Sequence, residues 1–264
     1  MRTAYLTIDD SPSPRTDDLV DALAARGVPA ILFCRGDLLE QNPEPVIRAI
    51  RHGFLVGSHG YEHKRASVLG YDAVTQGVLR TDALIDAAYA NAGVVRPGRY
   101  HRFAYMDRGM GAWFVEPQRL APDLRVIVSG MIREGLGNDP ASTPTHAGIE
   151  TKNRLQAFLS DHGFASLPAP GVTHAFFAQT EMHDAIDAMF TFSTSDWAVT
   201  ERHRGKFGVS DVSDLKARID ADPYLARDDS AHIILAHDQA EIHDTVVALV
   251  DHMLDRGLQF MEMS

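Results

Sequence analysis

The first sixty residues alternate strand-like and helix-like segments, and this alternation constrains the fold more than any other feature of the chain. Three short apolar runs are each followed by turn residues, and amphipathic segments separate them. Strand, helix, strand, helix, strand in this order is typical of parallel β-structure with helical crossovers. The apolar runs are Thr3–Ile8, Val28–Cys34 and Phe54–Gly57; the helical segments are one capped by Thr16 or Asp17, with Leu19, Val20, Leu23 and Ala24 on its inner face and Gly27 as its end, and one at Pro43–His52.

The rest of the chain continues the pattern with one interruption. Many prolines and scattered histidines between about 130 and 189 predict a loop-rich insertion. The number of parallel strands favours a barrel-like β/α fold, with residues 1–264 as a single domain. The predicted helices are Tyr71–Ala92, Thr151–His162, Val212–Ala221 and Ile242–Arg256. The predicted strands and strand-like segments are Leu124–Val128, His174–Ala178, the run before Asp196 in Phe190–Trp197, the run before His237 in His232–Asp238, and Leu258–Met263.

Composition narrows the function classes. The 264 residues carry a formal net charge of −11, spread along the chain, which argues against nucleic acid or an anionic membrane as partner. Cys34 is the only cysteine, so any metal must bind through imidazole and carboxylate groups. We find no leader peptide and no apolar run near the ~20 residues of a membrane helix. The default expectation is a cytoplasmic protein, or a secreted or periplasmic one if a leader was removed.

His59 and His63 form a candidate metal pair. Their four-residue spacing predicts that both imidazoles lie on the same side of a helical turn. A catalytic zinc usually takes three protein ligands, so a third is expected after another strand, at Asp9 or Asp10. The alternatives are that His59 caps the strand, that His63 is a solvated loop residue, and that the two acids form a solvated turn or a helix cap.

Polar residues follow several of the apolar runs. In a barrel of parallel strands the chemistry lies at the carboxyl ends of the strands, so residues far apart in sequence are expected to meet on one rim. The residues in this position are Asp9, Asp10, His59, Asp196 and His237.

Five motifs in this order resemble the polysaccharide deacetylase family, carbohydrate esterase family four. They are TIDDSP, SHGYEH, RFAY, SDW and ILAHD, and they span nearly the whole chain. The resemblance implies a distorted (β/α) barrel and hydrolysis of an acetyl group from a saccharide. It also implies a bound divalent metal, usually Zn²⁺, with Co²⁺, Mn²⁺ or Ni²⁺ as alternatives.

The resemblance also implies roles for single residues. Asp10, His59 and His63 would bind the metal, and Asp9 would be the general base, paired with Arg102. A main-chain N–H near Tyr105 would hold the oxyanion. His237 would be the general acid, oriented by Asp196, while Trp197 and Leu235 would line the substrate groove.

From residue type alone, each of these roles has an alternative. Arg102 could belong to a surface ion pair, His237 could be structural, and Trp197 and Leu235 are of types more often found in the core. Ser11 and Ala104 stand where the family usually has glycine and proline, and we expect them to alter the turn after the acids and to loosen the segment that presents Tyr105.

Three functional hypotheses remain open. The first is a metal-dependent deacetylase of an N-acetylated or O-acetylated saccharide. The second is hydrolysis of a small non-sugar amide, cyclic ureide or imide at the same site. The third is a carbohydrate-binding or scaffolding protein without activity. The insertion at about 130–189 could form a lid, a substrate-selecting wall or a contact in a homo-oligomer.

Overall fold

The first strand of the chain is the centre of the fold. The computed structural model describes residues 2–263, and in it this strand pairs in parallel with three neighbours. In chain order the strands and α-helices are β1 (Arg2–Ser11), α1 (Thr16–Ala25), β2 (Ala30–Cys34), α2 (Gly36–Gln41), α3 (Glu44–Arg51), β3 (Leu55–Ser58), α4 (Ala66–Leu69), α5 (Tyr71–Ala92), α6 (Pro122–Gly130), α7 (His146–Asp161), α8 (Ala175–Ala178), β4 (Phe192–Ser193), α9 (Val212–Ala221), β5 (His232–His237), α10 (His243–Asp255) and β6 (Leu258–Phe260).

The six strands within residues 2–263 form one parallel sheet in the order β3-β2-β1-β5-β4, with β6 paired to the start of β1. The register places Asp9 opposite His237 and Cys34 opposite Ser58. Because all pairs are parallel, the carboxyl ends of β1, β3 and β5 lie at the same edge. That edge is where the sequence predicts the site.

Irregular segments connect the two edges of the sheet. Beside β3, the amide of Ser58 donates to the Tyr100 carbonyl (2.8 Å), and the amide of Arg102 donates to the Ser58 carbonyl (2.9 Å). The amide of Ala188 then donates to the carbonyl of His101 (2.7 Å), and the amide of Thr191 donates to that of Ile233 in β5 (2.8 Å). The predicted α/β fold with a parallel sheet is confirmed and is consistent with a distorted (β/α) barrel: the sheet itself is open, and non-strand backbone bridges its two edges.

Alternate residues along β1 and β5 pack into two different apolar clusters. Leu6 and Ile234 pack on the helical layer with α1, α3 and α10. Tyr5, Ile233 and Leu235 face the other way, toward apolar residues of the 130–189 segment. This period of two is what parallel strands buried on both sides require. The residues of the insertion in that second cluster are Ile132, Phe176, Phe177, Met182, Ala185 and Met189.

The predicted strand at Leu124–Val128 is wrong, because this segment lies in α6. A strand would place 124, 126 and 128 on one face, whereas the structure buries Leu124 and Val128 and leaves Val126 73% exposed. Burial at positions four apart is the pattern of a helix. Pro122 sits in the first turn, where its missing N–H costs nothing. A π-helical turn, Met131–Gly135, continues the helix.

Three smaller expectations also fail. His174–Ala178 does not form a strand, since its last four residues form the single helical turn α8. Helix α1 begins after Arg15 without a side-chain cap, because the hydroxyl of Thr16 is engaged with Ser13 and Asp238 instead. Ala24 is exposed rather than on the inner face of α1.

The long helix and the helix before β5 are confirmed at Tyr71–Ala92 and Val212–Ala221. The helix predicted at Thr151–His162 corresponds to α7, which begins five residues earlier and ends one residue earlier. The helix predicted at Ile242–Arg256 corresponds to α10, which is one residue shorter at each end. Among residues 2–263, we find no helix with both the length and the apolarity to cross a bilayer.

The helical assignment of α6 gives a matched pair of substitutions. Val128→Ala should lower the free energy of unfolding by about 2 kcal/mol, because Val128 is fully buried and its truncation leaves a cavity. Val126→Ala should change it by less than about 0.5 kcal/mol, as expected for an exposed residue. Urea titration followed by circular dichroism measures both. Equal losses would place the two side chains on one buried face and contradict the helix.

Candidate active site

The two adjacent acids at the end of β1 are both buried. Successive side chains of a regular strand point to opposite faces. Here the pairing with β2 shifts register between Ile8 and Ser11, and Asp10 has a left-handed φ of 71°. Asp is one of the few residue types enriched in that conformation. The distortion lets both carboxylates approach one imidazole, since His59 Nε2 lies 3.6 Å from Asp9 Oδ2 and 3.8 Å from Asp10 Oδ1.

His59 and His63 reach the same place from a bend and not from a helical turn, so the predicted local geometry is wrong. The bend is made at Gly60, which has a φ of 75° that a side chain would oppose. The two rings are 5.2 Å apart between centroids. The Nδ1 of His59 donates to the Arg102 carbonyl (2.9 Å), which leaves Nε2 facing the acids.

Asp10, His59 and His63 fit a divalent cation. The Nε2 of His63 lies 3.3 Å from Asp10 Oδ1, and one atom from each of the three residues falls within a 4.8 Å cluster. The Oδ1 of Asp10 is buried without a hydrogen-bond partner, as expected for a ligand atom. Across residues 2–263, no other group of three His, Cys, Asp or Glu residues is placed this way.

The charges suit the same interpretation. Burial lowers the pKa of His63 to about 4, although Asp10 acts to raise it, so the imidazole is neutral and free to bind a cation. Burial acts to raise the pKa of Asp10, but the nearby histidines and an amide hydrogen bond from Gln239 outweigh burial and lower it to about 2. The carboxylate is therefore ionised at neutral pH.

Arg102 is fully buried and holds Asp9, so it is not a surface ion-pair residue. Its Nη1 donates to Asp9 Oδ1 (2.9 Å) and to the Thr7 hydroxyl (2.8 Å). Its other nitrogens donate to the carbonyls of Ala188 and Met189, both at 3.1 Å. The guanidinium leaves Asp9 Oδ2 directed toward the side of His59.

His237 stands across the rim from the acids with its ring fixed by Asp196. Its Nδ1 donates to Asp196 Oδ1 (2.6 Å), and its backbone N–H donates to the other oxygen of the same carboxylate (2.7 Å). Burial acts to lower the pKa of His237, but Asp196 outweighs it, with smaller contributions from Asp10 and Asp9, and raises the pKa to about 9. At neutral pH the imidazole is protonated.

The three residues predicted to contact the substrate lie in different surroundings. Tyr105 is 39% exposed, its ring lies 4.5 Å from that of His63, and its backbone has a φ of 58°. The indole of Trp197 donates to the carbonyl of Gly135 (3.1 Å) and packs against Gly137, where an added Cβ would lie 2.5 Å from the ring. Leu235 is only 1% exposed and lies in the apolar cluster that includes residues of the insertion, so its side chain faces other apolar side chains.

The two departures from the family pattern leave the turns well defined. Ser11 has an ordinary φ and is buried, and the positive φ falls on Asp10 instead. Its carbonyl accepts from the amide of Arg35 (2.8 Å). After Ala104, the amides of Met106 and Asp107 donate back within a tight turn that carries Tyr105.

Comparisons with known proteins identify the family of the chain. A family model described as polysaccharide deacetylase matches residues 1–107. A chitooligosaccharide deacetylase of Sinorhizobium fredii (strain NBRC 101917 / NGR234) is 33% identical over 199 residues, which cover 63% of this chain and 90% of the relative. The chain belongs to the polysaccharide deacetylase family. This is the family that the five ordered motifs predict.

Two further matches of this chain are less extensive or less similar. A chitooligosaccharide deacetylase of Rhizobium leguminosarum bv. trifolii is 29% identical over 126 residues, which are 44% of this chain and 59% of the relative's length. The solved family 4 carbohydrate esterase from Streptomyces lividans, in complex with acetate, aligns with a TM-score of 0.57 and 18% identity, covering 100% of this chain and 93% of that one. At that identity the match bears on the fold alone.

Two polar residues near this rim were given no role in the sequence analysis. Asp238 accepts from the hydroxyls of Ser13 and Thr16, and its amide donates to the Asp9 carbonyl (2.8 Å), which ties the ends of β1 and β5 together. Asn138, in the insertion, accepts from Arg65 (2.5 Å) and donates to the Tyr105 carbonyl (3.4 Å). Only the position of Asp238 directly after His237 could have indicated a role for it.

The raised pKa of His237 gives a pH prediction for the metal-free protein. Because its folded pKa lies above the ordinary value of about 6.5, its charge contributes stability that is complete below about pH 6.5 and is lost as the pH rises through about 9. Asp196→Asn removes the charge responsible and should lower the pKa by more than one unit. NMR titration of the imidazole Cε1 proton measures it.

The control for that titration is Asp220→Asn. Asp220 is an exposed acid that pairs with His252 (2.8 Å) and does not contact His237. The Asp220→Asn substitution should leave the pKa of His237 unchanged. An unchanged midpoint in Asp196→Asn would show that Asp196 is not the source of the shift.

Proposed function

We propose that this chain is a metal-dependent hydrolase that removes the acetyl group of an N-acetylated saccharide. The observation that carries the proposal is the buried, unpartnered Oδ1 of Asp10, which lies beside two imidazole nitrogens on the same rim as an arginine-held carboxylate and a protonated imidazole. Those are the parts that amide hydrolysis by an activated water needs.

Asp10, His59 and His63 would hold the cation, for which Zn²⁺ is our first choice because a mixed imidazole and carboxylate set with three protein ligands suits it. Co²⁺, Mn²⁺ and Ni²⁺ are the competing ions. When bound, such an ion polarises the acetyl carbonyl and lowers the pKa of the attacking water.

Asp9 acts as the general base. Arg102 occupies Oδ1 and keeps the carboxylate in place, so Oδ2 remains to take a proton from water at the side of His59. Water attacks the acetyl carbon while the proton passes to Asp9. The Tyr105 N–H, on the tight turn after Ala104, is the donor that we assign to the developing oxyanion.

His237 acts as the general acid. Collapse of the tetrahedral carbon breaks the C–N bond, and the imidazolium gives its Nε2 proton to the departing amine. Asp196 holds Nδ1, so the proton to be delivered lies on the opposite side of the ring. Acetate and the free amino sugar are the products.

The saccharide class rests on the relatives and on the rim. Both curated relatives described above are named chitooligosaccharide deacetylases. We assign Trp197 to a groove wall for a sugar ring. The predicted role of Leu235 beside the acetyl methyl has no support in the structure, because the side chain is only 1% exposed and packs among apolar residues of the insertion. No feature of the described residues favours a small cyclic amide over a saccharide, so that hypothesis becomes an outcome of the assay.

Acetate release is the first test. Purified protein should release acetate from N-acetylated chitooligosaccharides, lose this activity on chelation and regain it when zinc is returned. Cyclic ureides, imides and O-acetylated sugars are assayed in parallel. Activity that is unchanged by the chelator would contradict the proposed requirement for a metal. Hydrolysis of the ureide or imide alone would contradict the proposed saccharide substrate.

Asp9→Asn tests the assignment of the base. The amide cannot accept the proton, so kcat should fall by about 10²–10⁴-fold, while zinc binding and the fold persist. The control Asp18→Asn changes an exposed acid of α1 and should leave kcat unaltered. Unchanged turnover in Asp9→Asn would remove Asp9 from the mechanism, and no turnover in the unaltered protein would favour a binding protein.

A further inference from the structure

Gln239 makes a direct contact with the candidate metal ligand that nothing in the motifs assigns. Its Nε2 donates to Asp10 Oδ2 at 2.7 Å. Gln239 lies two residues beyond the end of β5 and is partly buried. The residue is outside the groups that would take part in the reaction.

The contact makes the two oxygens of Asp10 different. Oδ2 is occupied by the amide, whereas Oδ1 is buried, has no partner and lies 3.3 Å and 3.8 Å from the two imidazole nitrogens. A carboxylate can bind a cation through one oxygen or two. With Oδ2 engaged, one oxygen is presented to the cation, and the carboxylate cannot rotate without losing the hydrogen bond.

We infer that Gln239 is a positioning residue that holds Asp10 as a one-oxygen ligand and thereby strengthens metal binding. The inference rests on the proposed function only through the metal. Outer hydrogen-bond partners of metal ligands typically contribute about 10–100-fold to affinity.

The chemistry of an amide suits this position. A neutral donor fixes the carboxylate without cancelling its charge, so the attraction for a cation is retained. A lysine or arginine in the same place would pair with Asp10 and repel the ion.

The backbone that presents the amide is itself anchored. The preceding residue, Asp238, accepts from the hydroxyls of Ser13 and Thr16, and its amide donates to the carbonyl of Asp9 (2.8 Å). The Gln239 carbonyl accepts from the amide of Ile242 (3.0 Å). Gln239 is therefore delivered from a segment tied to the same strand end that carries Asp10.

The test measures zinc affinity of the metal-free protein by competition with a chelating dye. Gln239→Met keeps an unbranched side chain of similar length and removes the donor, and Gln239→Leu is a second variant in case the first does not fold. Either should weaken zinc binding by about 10–100-fold. Urea unfolding of the metal-free variants should match that of the unaltered protein, which separates positioning from a general loss of structure.

Gln41→Met is the matched control, since Gln41 is exposed and its amide donates only to a backbone carbonyl, that of Asp37. It should bind zinc like the unaltered protein. The visible absorption of bound Co²⁺ gives a second measurement, which should change in the Gln239 variants and not in Gln41→Met. Wild-type zinc affinity in a folded Gln239 variant would overturn this inference alone, whereas failure of the unaltered protein to bind zinc would overturn the proposed function.

Discussion

The buried guanidinium of Arg102 is the interaction on which the rest of the structure depends. Its nitrogens bond to β1 through Asp9 and Thr7, and to the irregular segment that completes the ring through Ala188 and Met189. The backbone N–H of Arg102 donates to Ser58 in β3, and the Arg102 carbonyl accepts from His59. A single side chain thus joins the closure of the barrel to the orientation of the acid.

This arrangement requires an arginine. A fully buried cation is tolerable only where it is paired and its donors are satisfied. The planar fork of a guanidinium reaches four acceptors in different directions, whereas an ammonium has one centre and three donors. Removing the arginine would leave Asp9 buried and unpaired, so both the fold and the candidate base would be affected together.

The regular parts of the fold could be predicted from the sequence because they have a period. α5 and α9 repeat apolar residues at the spacing of a helix, and the structure contains both. β1 was predictable as a short apolar run that ends at polar turn residues. The predicted strand at Leu124–Val128 was wrong because a short, mostly apolar segment is compatible with a strand and with a helix. Only its packing, with Val126 exposed, separates the two.

The sequence predicted part of the candidate site and missed other residues in it. Residues at strand ends and in ordered motifs come together as expected, since parallel strands bring their carboxyl ends to one edge. The contacts of Gln239 and Asn138 could not be predicted, because a single amide side chain belongs to no periodic pattern and no motif of fixed spacing. Its role depends on which atom it contacts in the folded chain. The bend at Gly60 escaped because four-residue spacing is compatible with a loop as well as a helix.

The left-handed backbone at Asp10 limits how the ligand set could change over time. Asp and Asn are enriched in that conformation, while residues branched at Cβ or bulkier are disfavoured there. Histidine is also enriched there, whereas the longer glutamate is not. Exchange of this candidate ligand for glutamate would therefore strain the end of β1, while histidine would be accommodated. The backbone of the strand thus favours a short side chain at this position.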